Sequence, residues 1–320
     1  MDVEVSRLPN FFIVGAPKAG TTSLYNYLDQ HPQVYMSPIK EPNFFSTEIR
    51  IERFAPDLQR DMARDALGLR EYLSGPMRQK RFGGIVTDGD DYLRLFAGAK
   101  GEQALGEASV CYLWSPTAPV LIGERIPGAK IIVILRNPVD RAFSQYLHGR
   151  SNGAITWSFR QHIERNLRDR SERMCVHYPF LELGLYHEQV TRYLERFGRS
   201  VWVGFYEDFK SRPREVLEDI CRFLGVSPDF SPDTARKHME SQVPRLAGIG
   251  SLRRSGFWGA AARLTPSFLR PVIRRALMRT PGAVTMDAVD RQYLADYYRD
   301  DIRRLSGLLG RNLDSWSGND

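Results

Sequence analysis

The sequence predicts an α/β fold, with a parallel sheet wrapped by helices on both faces. Three observations carry that expectation. The apolar run Phe11-Phe12-Ile13-Val14 leads into a Gly-bounded loop and then an amphipathic helical pattern. A second run, Ile131-Ile132-Val133-Ile134-Leu135, is continuously apolar, as a strand buried on both faces must be. Further strand-like and helix-like segments then alternate along the chain.

Residues 1–10 are a short lead-in, and residues 11–36 hold the first strand, the loop and the first helix. His31-Pro32 ends that helix, with His31 expected to cap it. Ser37-Pro38-Ile39-Lys40-Glu41-Pro42 reads as an irregular loop, broken by two prolines. Residues 46–100 mix charges with scattered aromatics, helical stretches and the turn Gly83-Gly84. Leu105 to Val110 reads as a short strand, residues 117–126 as a helix, and 131–135 as the central strand. Helical apolar spacing marks Phe159 to Leu167 and Tyr186 to Phe197. Val201 to Tyr206 is a strand ended by Glu207-Asp208, and Arg214 to Leu224 a helix closed by Gly225. Met286 to Leu309 is a long amphipathic helix expected to pack on the outside. No internal repeat, low-complexity segment or linker divides the chain, which predicts a single domain over residues 1–320.

The first loop carries the most chemistry. Gly15-Ala16-Pro17-Lys18-Ala19-Gly20 joins a strand to a helix that opens with Thr21, Thr22 and Ser23. Unpaired N–H groups and the helix dipole at such a start favour an anion, and the hydroxyls can donate to it. The pattern departs from the common nucleotide loop G-x-x-x-x-G-K-[ST]. Thr21 stands where the lysine belongs, and the cation is Lys18, inside the loop. Magnesium held by a following Ser or Thr is therefore not implied, and a nucleotide site without a metal fits better than an ATPase.

The second strand runs into Arg136-Asn137-Pro138. Asn137 suits an N-cap and Pro138 the first helical position. Asp140, Ser144 and His148 then fall on one helix face, four apart. Arg136 sits at the strand's carboxyl end, where open α/β sheets bind ligands. A nucleotide hydrolase would want a magnesium-binding Asp there; a guanidinium suits a phosphate.

These two stretches resemble the sulfotransferases that use 3′-phosphoadenosine-5′-phosphosulfate (PAPS). Lys18 to Leu24 is similar to their 5′-phosphosulfate loop, and Arg136 with Ser144 to their 3′-phosphate-binding pair. The resemblance continues in Lys40-Glu41-Pro42-Asn43-Phe44-Phe45, in Gly106-Glu107-Ala108-Ser109-Val110-Cys111-Tyr112-Leu113, in Gly184-Leu185-Tyr186 and from Val201 to Phe209. It implies a P-loop-like three-layer fold and sulfuryl transfer from PAPS, releasing 3′-phosphoadenosine 5′-phosphate (PAP). It implies Lys18 as the catalytic cation at the leaving phosphate, with Ala19, Gly20, Thr21, Thr22 and Ser23 around the 5′-phosphate. Glu41, followed by two residues and Phe-Phe, is similar to the general base of the heparan-type enzymes; its bland alternative is a carboxylate paired with Lys40. Arg245 falls where the family closes a basic loop over the cofactor, within a late loop at residues 240–256. Residues 46–100 are expected to elaborate the acceptor side or lid.

Heparan-type enzymes place an acceptor-side lysine where this chain has Ala108, which argues against a heparan-like acidic polysaccharide. Ser109, Tyr112 and Trp114 are candidates to border the acceptor or the nucleotide, with a core role the equal alternative for Tyr112 and Trp114. The expected acceptor is a small molecule, glycan or natural product, modified at a hydroxyl in preference to an amine. His148, on the helix that carries Ser144, reads as structural and is the next base to test should Glu41 not serve. A P-loop kinase or nucleotide hydrolase is the competing reading, with the Val201 to Asp208 strand end as its magnesium site.

Net charge is +7, from 45 Lys and Arg against 38 Asp and Glu. Nucleic acid is not expected, because the arginines are spread among acids without a recognition motif; a polyanionic nucleotide accounts for the excess. Three cysteines, Cys111, Cys175 and Cys221, lack metal spacing and read as buried or free thiols of a reducing compartment. No signal peptide or apolar run long enough to span a bilayer is present, whereas Golgi carbohydrate sulfotransferases carry an anchor. The expectation is a soluble, cytoplasmic, bacterial enzyme needing no metal.

Overall fold

Strand β1, Phe11–Gly15, is buried along its whole length. It lies at the centre of a five-stranded sheet with β2 (Val34–Met36), β5 (Ala104–Ala108), β6 (Lys130–Leu135) and β7 (Val201–Phe205). The order is β2-β5-β1-β6-β7, and every pairing is parallel. In β6, Ile131 through Leu135 have no exposed surface, which is why this strand carries no polar alternation. The chain leaves β1 toward the β2 edge and leaves β6 toward β7. The strand order therefore reverses beside β1, and ligands of open α/β sheets bind outside the carboxyl ends at such a point.

The computed structural model describes residues 8–169, 173–233, 243–244, 278–279 and 284–317. They divide into two units, Met1–Arg136 with Leu185–His238, and Asn137–Gly184 with Met239–Asp320.

The first unit holds the sheet. Its helices among the described residues are α1 (Thr21–Leu28), α2 (Pro56–Ser74), α3 (Gly89–Arg94), α4 (Ala118–Arg125), α7 (Tyr186–Phe197), α8 (Tyr206–Ser211) and α9 (Pro213–Leu224). Pro56 and Pro213 open their helices, where a missing N–H costs nothing. Gly225, left-handed at φ +80, ends α9 as expected. The loop Ser37 to Pro42 is less irregular than its prolines suggest: Ile39–Lys40 forms β3, pairing in parallel with β4, Arg81–Phe82.

His31 does not cap α1, which stops at Leu28. Its Nδ1 accepts from the Gln33 N–H at 3.0 Å, and its Nε2 meets the Ser227 carbonyl at 2.9 Å. The imidazole ties the β2 turn to the end of α9 instead, a use that local spacing could not disclose.

The second unit contains α5 (Pro138–Ser151), α6 (Phe159–Arg168) and α10 (Ala288–Leu309). Asn137 caps α5 through the Val139 N–H at 3.0 Å, as its sequence predicts. Ser158 and Gln161 form a capping box at the start of α6. Helix α10 docks by Arg291 to Asp140 at 2.8 Å, Asp290 to Arg160 at 2.6 Å, and the Tyr298 hydroxyl donating to the Leu181 carbonyl at 2.9 Å.

Candidate active site

Two glycines shape the loop after β1, for different reasons. A β-carbon on Gly15 would lie 2.7 Å from Leu113 Cβ, so only glycine lets the strand end pass that close. Gly20 stands at φ +86 as the N-cap of α1, packed under Tyr206 and Phe209 of α8. The first intrahelical bond of α1 runs from the Leu24 N–H to the Gly20 carbonyl at 3.1 Å. The N–H groups of Thr21, Thr22 and Ser23 therefore have no intrahelical acceptor. No acidic residue stands in that first turn, so no carboxylate competes for the positive helix end.

Arg136 follows β6 and reaches this loop from the neighbouring strand. Its Nη1 donates to the Lys18 carbonyl at 2.9 Å, and its guanidinium lies 4.6 Å over the Tyr206 ring. The Lys18 ammonium is held down at about 8, first by burial and then by the Arg136 charge; Glu41 pulls it up and Lys40 pushes it further down. Lys18 thus lies within electrostatic reach of two further cations, Arg136 and Lys40, and of one carboxylate, Glu41. That surplus suits a ligand carrying several negative charges.

Glu41 begins the turn after β3, in the left-handed region at φ +69. Lys40 Nζ donates to Glu41 Oε1 at 2.8 Å, with the lysine side chain 2% exposed and the glutamate 36%. The pairing with Lys40 that the sequence left open is thus present. It does not bury the carboxylate, which stays half exposed within electrostatic reach of Lys18. The aromatic pair behind it anchors the turn: Phe45 meets Phe12 edge-on at 5.6 Å, and Phe44 stacks on Tyr92 at 4.1 Å.

The segment after β5 supports this turn from beneath. The Ser109 hydroxyl accepts from the Asn43 N–H at 3.1 Å, and the Tyr112 hydroxyl from the Phe45 N–H at 3.1 Å. Ser109 and Tyr112 have no exposed surface: Tyr112 takes the core role open to it, and Ser109, expected at the border of a ligand, is buried too. Trp114 is half-buried, and its carbonyl accepts from Arg192 Nη2 at 3.0 Å. Glu48 staples the same two segments, accepting from the hydroxyls of Ser46 (2.9 Å), Ser115 (2.6 Å) and Thr117 (3.0 Å). Burial alone would raise the Glu48 carboxyl; these hydrogen bonds overcome it and keep the group below the usual carboxylate range.

Glu107, at the end of β5, is fully buried, and neither carboxyl oxygen has a hydrogen-bond partner within ordinary limits. Burial pushes this group up to about 8, against a smaller downward pull from the Tyr112 and Tyr92 hydroxyls. Nothing in the spacing of the sequence marks it apart from its neighbours.

The sequence-predicted residues therefore fall into three groups. Lys18, Ala19, Gly20, Thr21, Thr22, Ser23, Glu41 and Arg136 belong to the first unit, where Lys18, Glu41 and Arg136 meet. Ser144 belongs to the second unit, half-buried on α5, as is His148. Arg245 and nearly all of the 240–256 loop lie outside the described residues. Asp208, a carboxylate of the competing magnesium reading, is paired to Arg212 at 3.1 Å on α8. The contributions missed by sequence reading are those of Tyr206 and Asn43. Tyr206 had one visible signal, its place just past an apolar strand. A cavity of about 260 Å³ lined by Pro116, Pro119, Val120, Arg192, Glu195 and Arg196 shares none of these residues.

Comparison with known proteins agrees with the geometry. The family model of the sulfotransferase domain matches residues 8–245. The bifunctional heparan sulfate N-deacetylase/N-sulfotransferase 2 of Bos taurus is 27% identical over 321 residues, covering 97% of this chain and 31% of the relative. Carbohydrate sulfotransferase 15 of Homo sapiens is 29% identical over 260 residues, covering 69% of this chain and 44% of the relative. The chain thus spans less than half the length of these curated relatives. The crystal structure of a sulfotransferase from Alicyclobacillus acidocaldarius superposes with a TM-score of 0.71 at 35% identity, covering 97% of this chain and 99% of that one.

Proposed function

The chain belongs to the sulfotransferase family, and we propose that it transfers a sulfuryl group from PAPS to a hydroxyl of a small-molecule or carbohydrate acceptor, releasing PAP. The observation that carries this reading is the surplus of positive charge at one sheet switch point: Lys18 feels Arg136 and Lys40 against the single carboxylate of Glu41, beside a helix start free of acids. A PAPS molecule brings negative charge at its 5′-phosphosulfate and its 3′-phosphate, which is the chemistry such a surplus binds.

Each residue then has one task. The N–H groups and hydroxyls of Thr21, Thr22 and Ser23 hold the 5′-phosphate. Lys18 donates to the oxygen that bridges phosphorus and sulfur. As that S–O bond breaks, its electron pair stays with PAP, and the ammonium stabilises charge that grows only in the transition state. Glu41 takes the proton of the acceptor hydroxyl while the new O–S bond forms. Lys40 orients that carboxylate through its hydrogen bond to Oε1. Arg136 serves twice: it fixes the Lys18 peptide, and its remaining N–H donors suit the 3′-phosphate together with Ser144. Arg245 and a lid around residues 46–100 complete the proposed site. No residue in it calls for a metal.

The heparan and carbohydrate relatives make a sugar hydroxyl or amine the first acceptors to try, with Ala108 weighing against a heavily acidic glycan. Among the described residues no helix is long and apolar enough to cross a membrane. Labelled PAPS, incubated with a panel of sugar and phenolic acceptors and with magnesium chelated, tests the reading. Transfer of label to an acceptor supports it; donor left intact across the panel contradicts it.

A further inference from the structure

Asn43 lies two residues beyond Glu41, and its polar groups are engaged on every side. Its Nδ2 donates to the Glu41 carbonyl at 2.9 Å and to the Gly84 carbonyl at 2.8 Å. Its Oδ1 accepts from Cys111 Sγ at 2.8 Å, and its backbone N–H donates to Ser109 Oγ at 3.1 Å. One side chain thus joins the turn after β3, the Gly83-Gly84 turn and the segment after β5.

The consequence falls on Glu41. Its backbone sits at φ +69, a region uncommon for a residue with a long side chain. The peptide is pinned at both ends: the Glu41 N–H donates to the Ala108 carbonyl at 2.7 Å, and the Glu41 carbonyl accepts from Asn43. Asn43 is itself left-handed at φ +56, which asparagine tolerates better than other residues bearing a β-carbon. Its amide offers two donors in one plane, the number that the carbonyls of Glu41 and Gly84 require. With the peptide fixed and Lys40 on Oε1, the Glu41 carboxylate has little freedom left.

We infer that Asn43 is a positioning residue for the transfer reaction: it locks Glu41 in the backbone conformation that aims the carboxylate at the acceptor proton. This rests on the reading of Glu41 as base. A plain structural staple would act on stability and on donor binding, whichever residue stood at position 41. A positioning residue acts on turnover through Glu41 alone.

The test is a double-mutant cycle on the full chain, with Asn43→Gly, Glu41→Gln and the pair. Glycine keeps the left-handed backbone and removes only the side chain. Asn43→Asp, which keeps shape but turns an oxygen on the two carbonyls, is the second variant. The probe is labelled PAPS with water standing in for the acceptor, read as labelled sulfate released, alongside PAP affinity by calorimetry. The expected result is turnover lower by about a hundred-fold in both Asn43 variants, from misplacement of the base. PAP affinity stays within about twofold, and Asn43→Gly has almost no further effect once Glu41 is Gln. Turnover kept in Asn43→Gly, PAP affinity falling in step with turnover, or an equal loss in the Glu41→Gln background would overturn the positioning role. Full turnover in Glu41→Gln alone instead removes the base assignment, and the role of Asn43 with it.

Discussion

Arg136 holds the Lys18 peptide by its carbonyl at 2.9 Å, and the same guanidinium is, after burial, the main influence lowering the Lys18 ammonium to about 8. One residue thus fixes the loop and primes its cation. In the free protein Lys18 is charged below about pH 8 and loses its proton above it. Bound phosphates favour the charged form, so binding above pH 8 must recruit a proton. PAP affinity should be flat from pH 6.5 to 7.5 and fall at higher pH by up to about tenfold per unit. Calorimetry at pH 9 in two buffers of different ionisation heat should show uptake approaching one proton, absent in Lys18→Arg.

The same desolvation predicts that Lys18→Ala separates stability from activity. The substitution removes a half-buried charge pressed by Arg136 and Lys40, so thermal stability at pH 7 should hold or rise. Turnover should fall about a hundred- to a thousand-fold, as for loss of other groups that stabilise a developing oxyanion. Single-turnover transfer with labelled PAPS measures it; an unchanged rate in the folded variant refutes the assignment.

Glu41→Gln and Glu41→Ala should differ in stability and agree in activity. Glutamine keeps an oxygen for the buried Lys40 ammonium, whereas alanine leaves that charge without its carboxylate. Both should lose about a hundred- to ten-thousand-fold in acceptor sulfation, because neither can take the proton. PAP affinity of Glu41→Gln should match wild type. Thermal melts and steady-state transfer separate the two effects, and full activity in Glu41→Gln would move the base elsewhere, with His148 next to test.

How much of this the sequence held depends on how local each feature is. The β1 loop with α1, the apolar β6 with Arg136 after it, and the ends of α7 and α9 follow from periodicity and turn residues a few positions apart. Strands β2, β3 and β4 are two or three residues long and show no period; their partners are as much as 70 positions away, as with Val34 and Ala104. Strand β5 ends at Ala108 rather than Val110, because the next residues turn to support the Glu41 loop. The Arg136 bond to the Lys18 carbonyl spans two motifs that each read alone as a phosphate ligand. Asn43 and Tyr206 act through tertiary contacts, which spacing does not encode.

His162 gives the second unit a pH-dependent stability. It is buried, takes the Trp157 indole N–H on Nδ1 at 3.1 Å, and is lowered to about 4 by burial, then by His177 and Arg165. Between about pH 4 and 6.5 the unfolded chain binds the extra proton, so stability rises with pH across that window and is lost as pH falls through it. The term is on the order of 3 kcal/mol at full extent. Denaturant titrations at pH 4.5 and 7 should show the difference, and His162→Gln, which keeps an acceptor for Trp157, should shrink it.

The most direct test of the account is a comparison of PAP with adenosine 5′-phosphate by calorimetry, at pH 7 with magnesium chelated. The two ligands differ only in the 3′-phosphate that Arg136 and Ser144 are proposed to hold. A charge-assisted hydrogen bond contributes about 1.5–3 kcal/mol, so PAP should bind at least about tenfold more tightly, and Arg136→Ala should erase most of that margin. Equal affinity for the two nucleotides, or a dependence on magnesium for both, would contradict a PAPS site.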